Sequence, residues 1–279
     1  MPERSRTALS DELTAPRGVD PSTPNVARMY DYYLGGKDNY AADREAAEKV
    51  LAHYPELRAV ARENRAFLIR AVRFLVGEAG IRQFIDVGSG LPTQQNVHEV
   101  AQRAAPDARV VYVDYDRIVI THARALLRGL PGRTAVVEAD LRRPESIIEH
   151  ADTNAMIDFS RPVAILMSAI LHFVRDEEDP SGLVARLMRP LAPGSYLAIS
   201  HAGGREITPR AHDAAGEYRS ATAQITLRQQ SQVEPFFAGL DLVDPGVVAL
   251  SDWHNPTPPT GALAEDLTGA GYVGVARKP

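Results

Sequence analysis

Five short apolar runs, spaced so that a helix fits between each pair, constrain this chain more than any other feature. "RQFIDVG" ends at Asp86, "ARVVYVDYD" at Asp114 and "TAVVEAD" at Asp140. "RPVAILMSA" ends near Ser168 and "GSYLAISHA" near Ser200. Strands that are apolar along their whole length must be covered on both faces, which argues for a parallel sheet. Right-handed crossovers then make it doubly wound. The end of the chain differs. "GLDLVDPGVVALSDW" reads as a strand running past Pro245, and "GYVGVARKP" as a final strand with almost no helix before it. Two strands without a full crossover predict an antiparallel hairpin at the sheet edge, for seven strands in all. Trp253 is expected to anchor that hairpin in the core.

The first 80 residues carry a helical pattern instead. Pro24-Asn25 opens "VARMYDYYL", which Gly35-Gly36 breaks. "YAADREAAEKVLAHY" is amphipathic, and Pro55 to Val76 carries an apolar stripe from Leu57 to Leu75. The expected division is a loose tail over 1–22, a helical cap or lid over 23–79, and the sheet domain over 80–279. In 279 residues, 44% hydrophobic composition is enough to build such a core. The absence of cysteine excludes disulfides and thiolate chemistry. A net charge of -5, with the basic residues scattered, argues against a nucleic-acid partner. No apolar run approaches the roughly 20 residues of a membrane span, and no signal-peptide core is present, so the expected setting is the cytoplasm.

In open α/β sheets the ligand lies beyond the carboxyl ends of the strands. Three strands here end in a carboxylate, and the first runs into Gly88-Ser89-Gly90. Glycines let the backbone turn tightly and approach a ligand. Asp114 follows Gly90 by 114 − 90 = 24 residues, near the spacing of an acid that binds ribose hydroxyls. Each sign has a plainer reading, since a strand-end acid commonly caps the next helix. The ordered combination points to a nucleotide-like cofactor.

These motifs resemble those of class I S-adenosylmethionine-dependent methyltransferases: "IDVGSG" their first, "VYVDYD" their second, "VVEADLR" their third. "VAILMSAILHFV" is similar to their fourth strand, and "LMRPLAPGSYLAIS" to the approach to their fifth. "YDYYLGGKDNY" with "ENRAFL" resembles a subgroup common in actinobacteria. The resemblance implies the strand order 3-2-1-4-5-7-6, the last strand antiparallel, and S-adenosylmethionine as cofactor. It implies that Asp86, Gly88, Ser89 and Gly90 lie along the methionine moiety and Asp114 holds the ribose. Tyr115 or Asp116 then flanks the adenine, Asp140 and the Leu141 backbone meet its edge, and Ser168 floors the methyl site. Pro92 stands where a dinucleotide loop would carry a third glycine. That position favours a cofactor without a pyrophosphate.

"YDYYLGGKDNY" reads either as a lid with Tyr33 and Lys37 toward the cofactor, or as a capped helix packed on the core. Arg65, beside Asn64, is an expected partner for a cofactor carboxylate. His172 and His201, after the fourth and fifth strands, are the expected bases if one is needed. Tyr218 and Arg219, in the polar stretch 202–230, are expected to shape the acceptor pocket. The remaining histidines show no metal-ligand spacing, so no metal is expected. The expected partner is a small-molecule acceptor taking the methyl on oxygen or nitrogen, with a homodimer as the assembly to test and no membrane. A non-catalytic cofactor-binding regulator and an NAD(P)-dependent oxidoreductase are the competing readings.

Overall fold

The computed structural model describes residues 19–92, 95–126 and 132–279, so most of the expected tail lies outside the described residues. Among the described residues three helices come first: α1 (Val26–Tyr33), α2 (Ala41–His53) and α3 (Leu57–Gly77). Asn25 starts α1 by accepting from the Ala27 and Arg28 amides through its side chain. The chain then leaves that helix through Gly35, whose φ of +79° a residue with a side chain rarely adopts. Arg28 and Asp43, both buried, join α1 to α2 by an ion pair of 2.7 Å.

The central sheet contains β1 (Gln83–Val87), β2 (Arg109–Asp114), β3 (Thr134–Glu138), β4 (Ala164–Ser168) and β5 (Tyr196–Ala202). It is completed by β6 (Asp241–Leu242), β7 (Val248–Ala249) and β8 (Gly271–Arg277). The order is β3-β2-β1-β4-β5-β8-β6, with β7 also paired to β8. β1 to β5 are parallel and β8 runs antiparallel to β5. This is the expected doubly wound α/β sheet, with the order reversing between β1 and β4.

The edge strand departs from expectation. The run past Pro245 is split into β6 and β7, because proline lacks the N–H that a ladder needs. Around it, Gly246 N–H turns back to the Val243 carbonyl at 2.9 Å. A helix, Ala262–Thr268, also precedes β8 where almost none was expected. Its seven residues follow the proline-rich "NPTPPTG" and are too few for a helical period to register. Trp253 is fully buried and meets Phe67 and Phe74 edge-on.

Three apolar cores result. One lies on the sheet face carrying Ile85, Val113, Ile165 and Ile199. A second lies on the opposite face, where Phe67, Leu68, Val72 and Leu75 of α3 cover Phe84, Val110 and Leu166. Burying each such side chain contributes on the order of 1.5–3 kcal/mol. The third joins Met29, Tyr33, Ala47 and Val50 to Ala214 and Tyr218. The helical segment is thereby bound to the segment that follows β5. Among the described residues no helix is long and apolar enough to cross a membrane.

Candidate functional site

The site starts where β1 ends. Gly88 and Ser89 donate their amides to the Val113 carbonyl at 2.8 and 3.1 Å, which curls the loop over the end of β2. Gly90 N–H then donates to Asp114 Oδ2 at 3.0 Å. Gly88 has φ +71° and Gly90 φ +63°, a left-handed backbone that favours glycine. A Cβ at Gly88 would stand 2.4 Å from Ile170 Cγ1, whereas one at Gly90 would meet nothing within 4 Å. The first glycine is demanded by packing, and the second leaves space against the backbone. The next helix starts only at Val97, 97 − 90 = 7 positions later, with Asn96 and Glu99 forming its capping box. Among the described residues no helix N-terminus therefore sits at the glycine loop, as a pyrophosphate site would require.

Asp86 and Asp114 are both buried at these strand ends. Burial pushes the Asp86 carboxyl up to about 7, with Arg65 opposing and Asp114 adding to the rise. Burial likewise pushes Asp114 up to about 6, although the Asp116 and Gly90 amides hold it down. Asp140 accepts from the Arg142 amide at 2.9 Å. Arg142 is braced by Glu178 at 2.6 Å and by the Phe173 carbonyl at 3.1 Å. Asp116 receives the Asn25 side-chain amide, which ties the start of α1 to the rim beyond β2.

Asp86, the Gly88–Gly90 loop, Asp114, Asp116, Asp140 and Arg142 line one cavity of ≈ 200 Å³. Of the sequence-predicted residues, Tyr33, Arg65, Asp86, Gly88, Ser89, Gly90, Asp114, Tyr115, Asp116, Asp140, Leu141, Ser168, His172 and His201 all line it. Asn64 and Tyr218 do so too. Lys37 does not: it is exposed on the loop after α1, beyond the cavity wall. That loop folds around Asp31, which accepts from the Asp38 amide at 2.9 Å and Asn39 Nδ2 at 2.8 Å, and Lys37 points away from it into solvent. Arg219 is exposed as well and is not part of the lining.

The roof and inner wall join Tyr33, Tyr218 and Ser168 to Tyr30 and Ser200, to which the sequence had assigned no role. Tyr33 and Tyr218 meet hydroxyl to hydroxyl at 3.0 Å, closing the roof between α1 and the segment after β5. Tyr30 donates to the Ala61 carbonyl and accepts from Asn64 Nδ2 at 2.8 Å. Asn64 continues to Ser168 Oγ at 3.3 Å, and Ser168 to Ser200 Oγ at 3.2 Å. Tyr30 belongs to the tyrosine cluster already noted, but its link to Ser168 joins residues 138 positions apart.

The histidines differ from expectation. His201 Nδ1 lies 2.7 Å from the Ala202 carbonyl and Nε2 lies 2.8 Å from Arg228 Nη1. His172 Nδ1 lies 3.3 Å from the Ala202 amide. A base needs a free lone pair facing its substrate, and these contacts use the lone pair on each ring. Burial, with Arg228 beside it, pushes His201 down to about 3. Burial, then the neighbouring His201 and Arg228, hold His172 well below the ordinary imidazole value.

The donor set suits S-adenosylmethionine. Desolvated carboxylates at Asp86 and Asp114 favour a ligand bringing an ammonium and a ribose diol, and the open backbone at Gly90 admits it closely. No group of three or more His, Asp or Glu residues capable of holding a metal occurs among the described residues.

Comparison with known proteins is consistent with this geometry. A protein-family model described as S-adenosyl methyltransferase matches residues 12–279, taking in the N-terminal helices as well as the sheet. The crystal structure of a DUF574 family protein from Streptomyces avermitilis MA-4680 is 46% identical, with a TM-score of 0.86, and covers 93% of this chain and 99% of its own. A candidate methyltransferase from Thermobifida fusca YX is 45% identical, with a TM-score of 0.88, and covers 95% of this chain and 99% of its own. No curated protein matches the sequence.

Proposed function

The chain belongs to the S-adenosyl methyltransferase family and works with S-adenosylmethionine; on that premise we propose that the roofed cavity passes the methyl group to a small-molecule acceptor, on oxygen or nitrogen. The observation that carries the acceptor's size is the closure of the roof. Tyr33 and Tyr218 bond across the cavity, and Phe173, Ile170 and Ile225 wall it with apolar surface. A macromolecular substrate would have to displace a buried core to reach the strand ends.

Each side chain then has a role derived from its place. Asp114, fixed by two backbone amides, offers its remaining lone pairs to the ribose hydroxyls. Asp140, held by the Arg142 amide, accepts from the adenine amino group, with the Leu141 backbone and Tyr115 beside it. Asp86 receives the ammonium end of the methionine moiety, and Arg65 its carboxylate. Ser168 and Asn64 form the wall that faces the acceptor. When bound, S-adenosylmethionine supplies a methyl on a sulfonium leaving group, so proximity and in-line orientation carry most of the rate. The residues therefore have to hold and align two ligands and exclude water.

Calorimetric titration with S-adenosylmethionine and S-adenosylhomocysteine tests this reading. Binding of both is expected, with Asp114→Ala weakening both by tenfold or more, the loss of a charge-assisted contact. Folded protein that takes up neither would refute it. Transfer of labelled methyl to a panel of small hydroxyl and amine compounds then identifies the acceptor class.

A further inference from the structure

Arg228 is 2% exposed and sits beneath the inner wall of the cavity. Its Nη2 donates to Asp176 Oδ1 at 2.6 Å and to the Val174 carbonyl at 2.8 Å, and its Nη1 to the Leu171 carbonyl at 3.2 Å. The same Nη1 lies 2.8 Å from His201 Nε2. A guanidinium has only donors, so His201 Nε2 must be the accepting, unprotonated nitrogen. A carbonyl has only lone pairs, so His201 Nδ1 carries the proton it gives to the Ala202 oxygen at 2.7 Å. On the other side of Ala202, its amide only donates, so His172 Nδ1, at 3.3 Å, accepts. The proton of His172 is then on Nε2.

From this chain of forced directions, and resting on the methyl-transfer reading above, we infer that His172 is a fixed Nε2–H donor. It binds a hydrogen-bond-accepting oxygen of a small aromatic methyl acceptor, and Arg228 is the residue that positions it. His172 lines the cavity, and its Nε2 atom makes no hydrogen bond among the described residues. Beside it stand Phe173, with ring centroids 4.4 Å apart, and Tyr218, 6.4 Å from Phe173. Tyr30 and Tyr33 complete an aromatic wall suited to a flat ring. The inner wall has the complementary polarity. Both amide hydrogens of Asn64 are directed at Tyr30 and Ser168, and its Oδ1, 3.4 Å from the Ser168 hydroxyl, keeps a second lone pair for a ligand. A ligand carrying an O–H or N–H for Asn64 and an oxygen acceptor for His172 satisfies both sides. The charged and titratable groups packed on His172 are His201 on β5 and Arg228 after it, with Asp176 beyond Arg228. A second positive charge on His172 would face both the Ala202 N–H and Arg228.

Long-range proton–nitrogen NMR spectra of the full-length protein read the tautomers directly. His172 is expected as the Nε2–H form and His201 as the Nδ1–H form, unchanged between about pH 5.5 and 8. In Arg228→Met, His201 should lose its single tautomer and begin to titrate in that window, and Arg228→Lys should restore part of the order. A proton on His172 Nδ1, or an imidazolium in the wild type, would overturn the assignment. For the ligand, 4-hydroxyacetophenone is the probe, its O–H for Asn64 and its carbonyl oxygen for His172, with its absorbance reporting hydrogen bonding to that oxygen in the presence of S-adenosylhomocysteine. His172→Leu should weaken it about tenfold, one hydrogen bond, while His172→Gln, which keeps an amide donor near Nε2, stays within about threefold. Backbone amide spectra of both variants check folding. No probe binding, or equal binding by the Leu variant, refutes the ligand class. Because the tautomers are read without cofactor, failure here is distinguishable from failure of the calorimetric test of methyl transfer.

Discussion

Replacing Asp86 by Asn should stabilise the ligand-free protein increasingly as pH rises. The Asp86 carboxyl is 5% exposed and is pushed from 3.8 up to about 7, chiefly by burial. Between those two values the folded protein keeps a proton that the unfolded chain has released. The folded state therefore binds more protons, and stability falls as pH rises through the window. The fall is complete above about 7 and absent below about 4. At about 1.4 kcal/mol per unit, the carboxylate costs about 4 kcal/mol at pH 8 and about 2 kcal/mol at pH 5. Asparagine has no such titration, and any penalty for burying its amide is the same at both pH values. The stability difference between Asp86→Asn and wild type should thus grow by about 2–3 kcal/mol from pH 5 to pH 8. Urea unfolding followed by circular dichroism at both pH values measures it, provided the slopes agree. The same variant should bind S-adenosylmethionine more weakly, because it lacks the charge for the ammonium. Parallel stability curves for the two proteins would refute the assignment of a desolvated carboxylate to this strand end.

Gly88→Ala should destabilise the fold by about 2–4 kcal/mol, since it combines left-handed strain with contact on Ile170. Gly90→Ala should cost only about 1 kcal/mol of stability yet weaken cofactor binding, because its Cβ enters open space over the loop; thermal melts and calorimetry separate the two effects. Arg28→Met leaves the wholly buried Asp43 without its cation and should cost about 3–5 kcal/mol in a urea melt. A double-mutant cycle of Tyr33→Phe and Tyr218→Phe should give a coupling of about 1 kcal/mol, and zero coupling would show that the roof is held by packing alone.

Much of the fold was legible because its signals are local. Apolar runs of five or six residues ending in Asp86, Asp114 or Asp140 need no partner to be read as buried parallel strands, and a parallel sheet dictates where their ends gather. Gly88 and Gly90 were legible for the same reason, since φ near +70° is a property of one residue and its neighbours. The break at Pro245 was misread because apolar residues continue past it, and only pairing with β8 shows where the ladder stops. The seven-residue helix before β8 is too short to declare itself by periodicity.

What only the tertiary structure decided lies between elements distant in sequence. Lys37 belongs to the same motif as Tyr33, yet the fold around Asp31 turns one outward and the other into the roof. His172 lies in the turn that follows β4 and His201 near the end of β5, places where a base would be useful, and residue type alone favours that role. Their protonation is set instead by Arg228, 27 positions beyond His201, and by a backbone amide and carbonyl of Ala202. A periodic pattern records which side chains are buried. The direction of a hydrogen bond depends on which partner the fold brings alongside, so the sequence determined which strand ends gather at one site and the tertiary contacts decided which groups there donate and which accept.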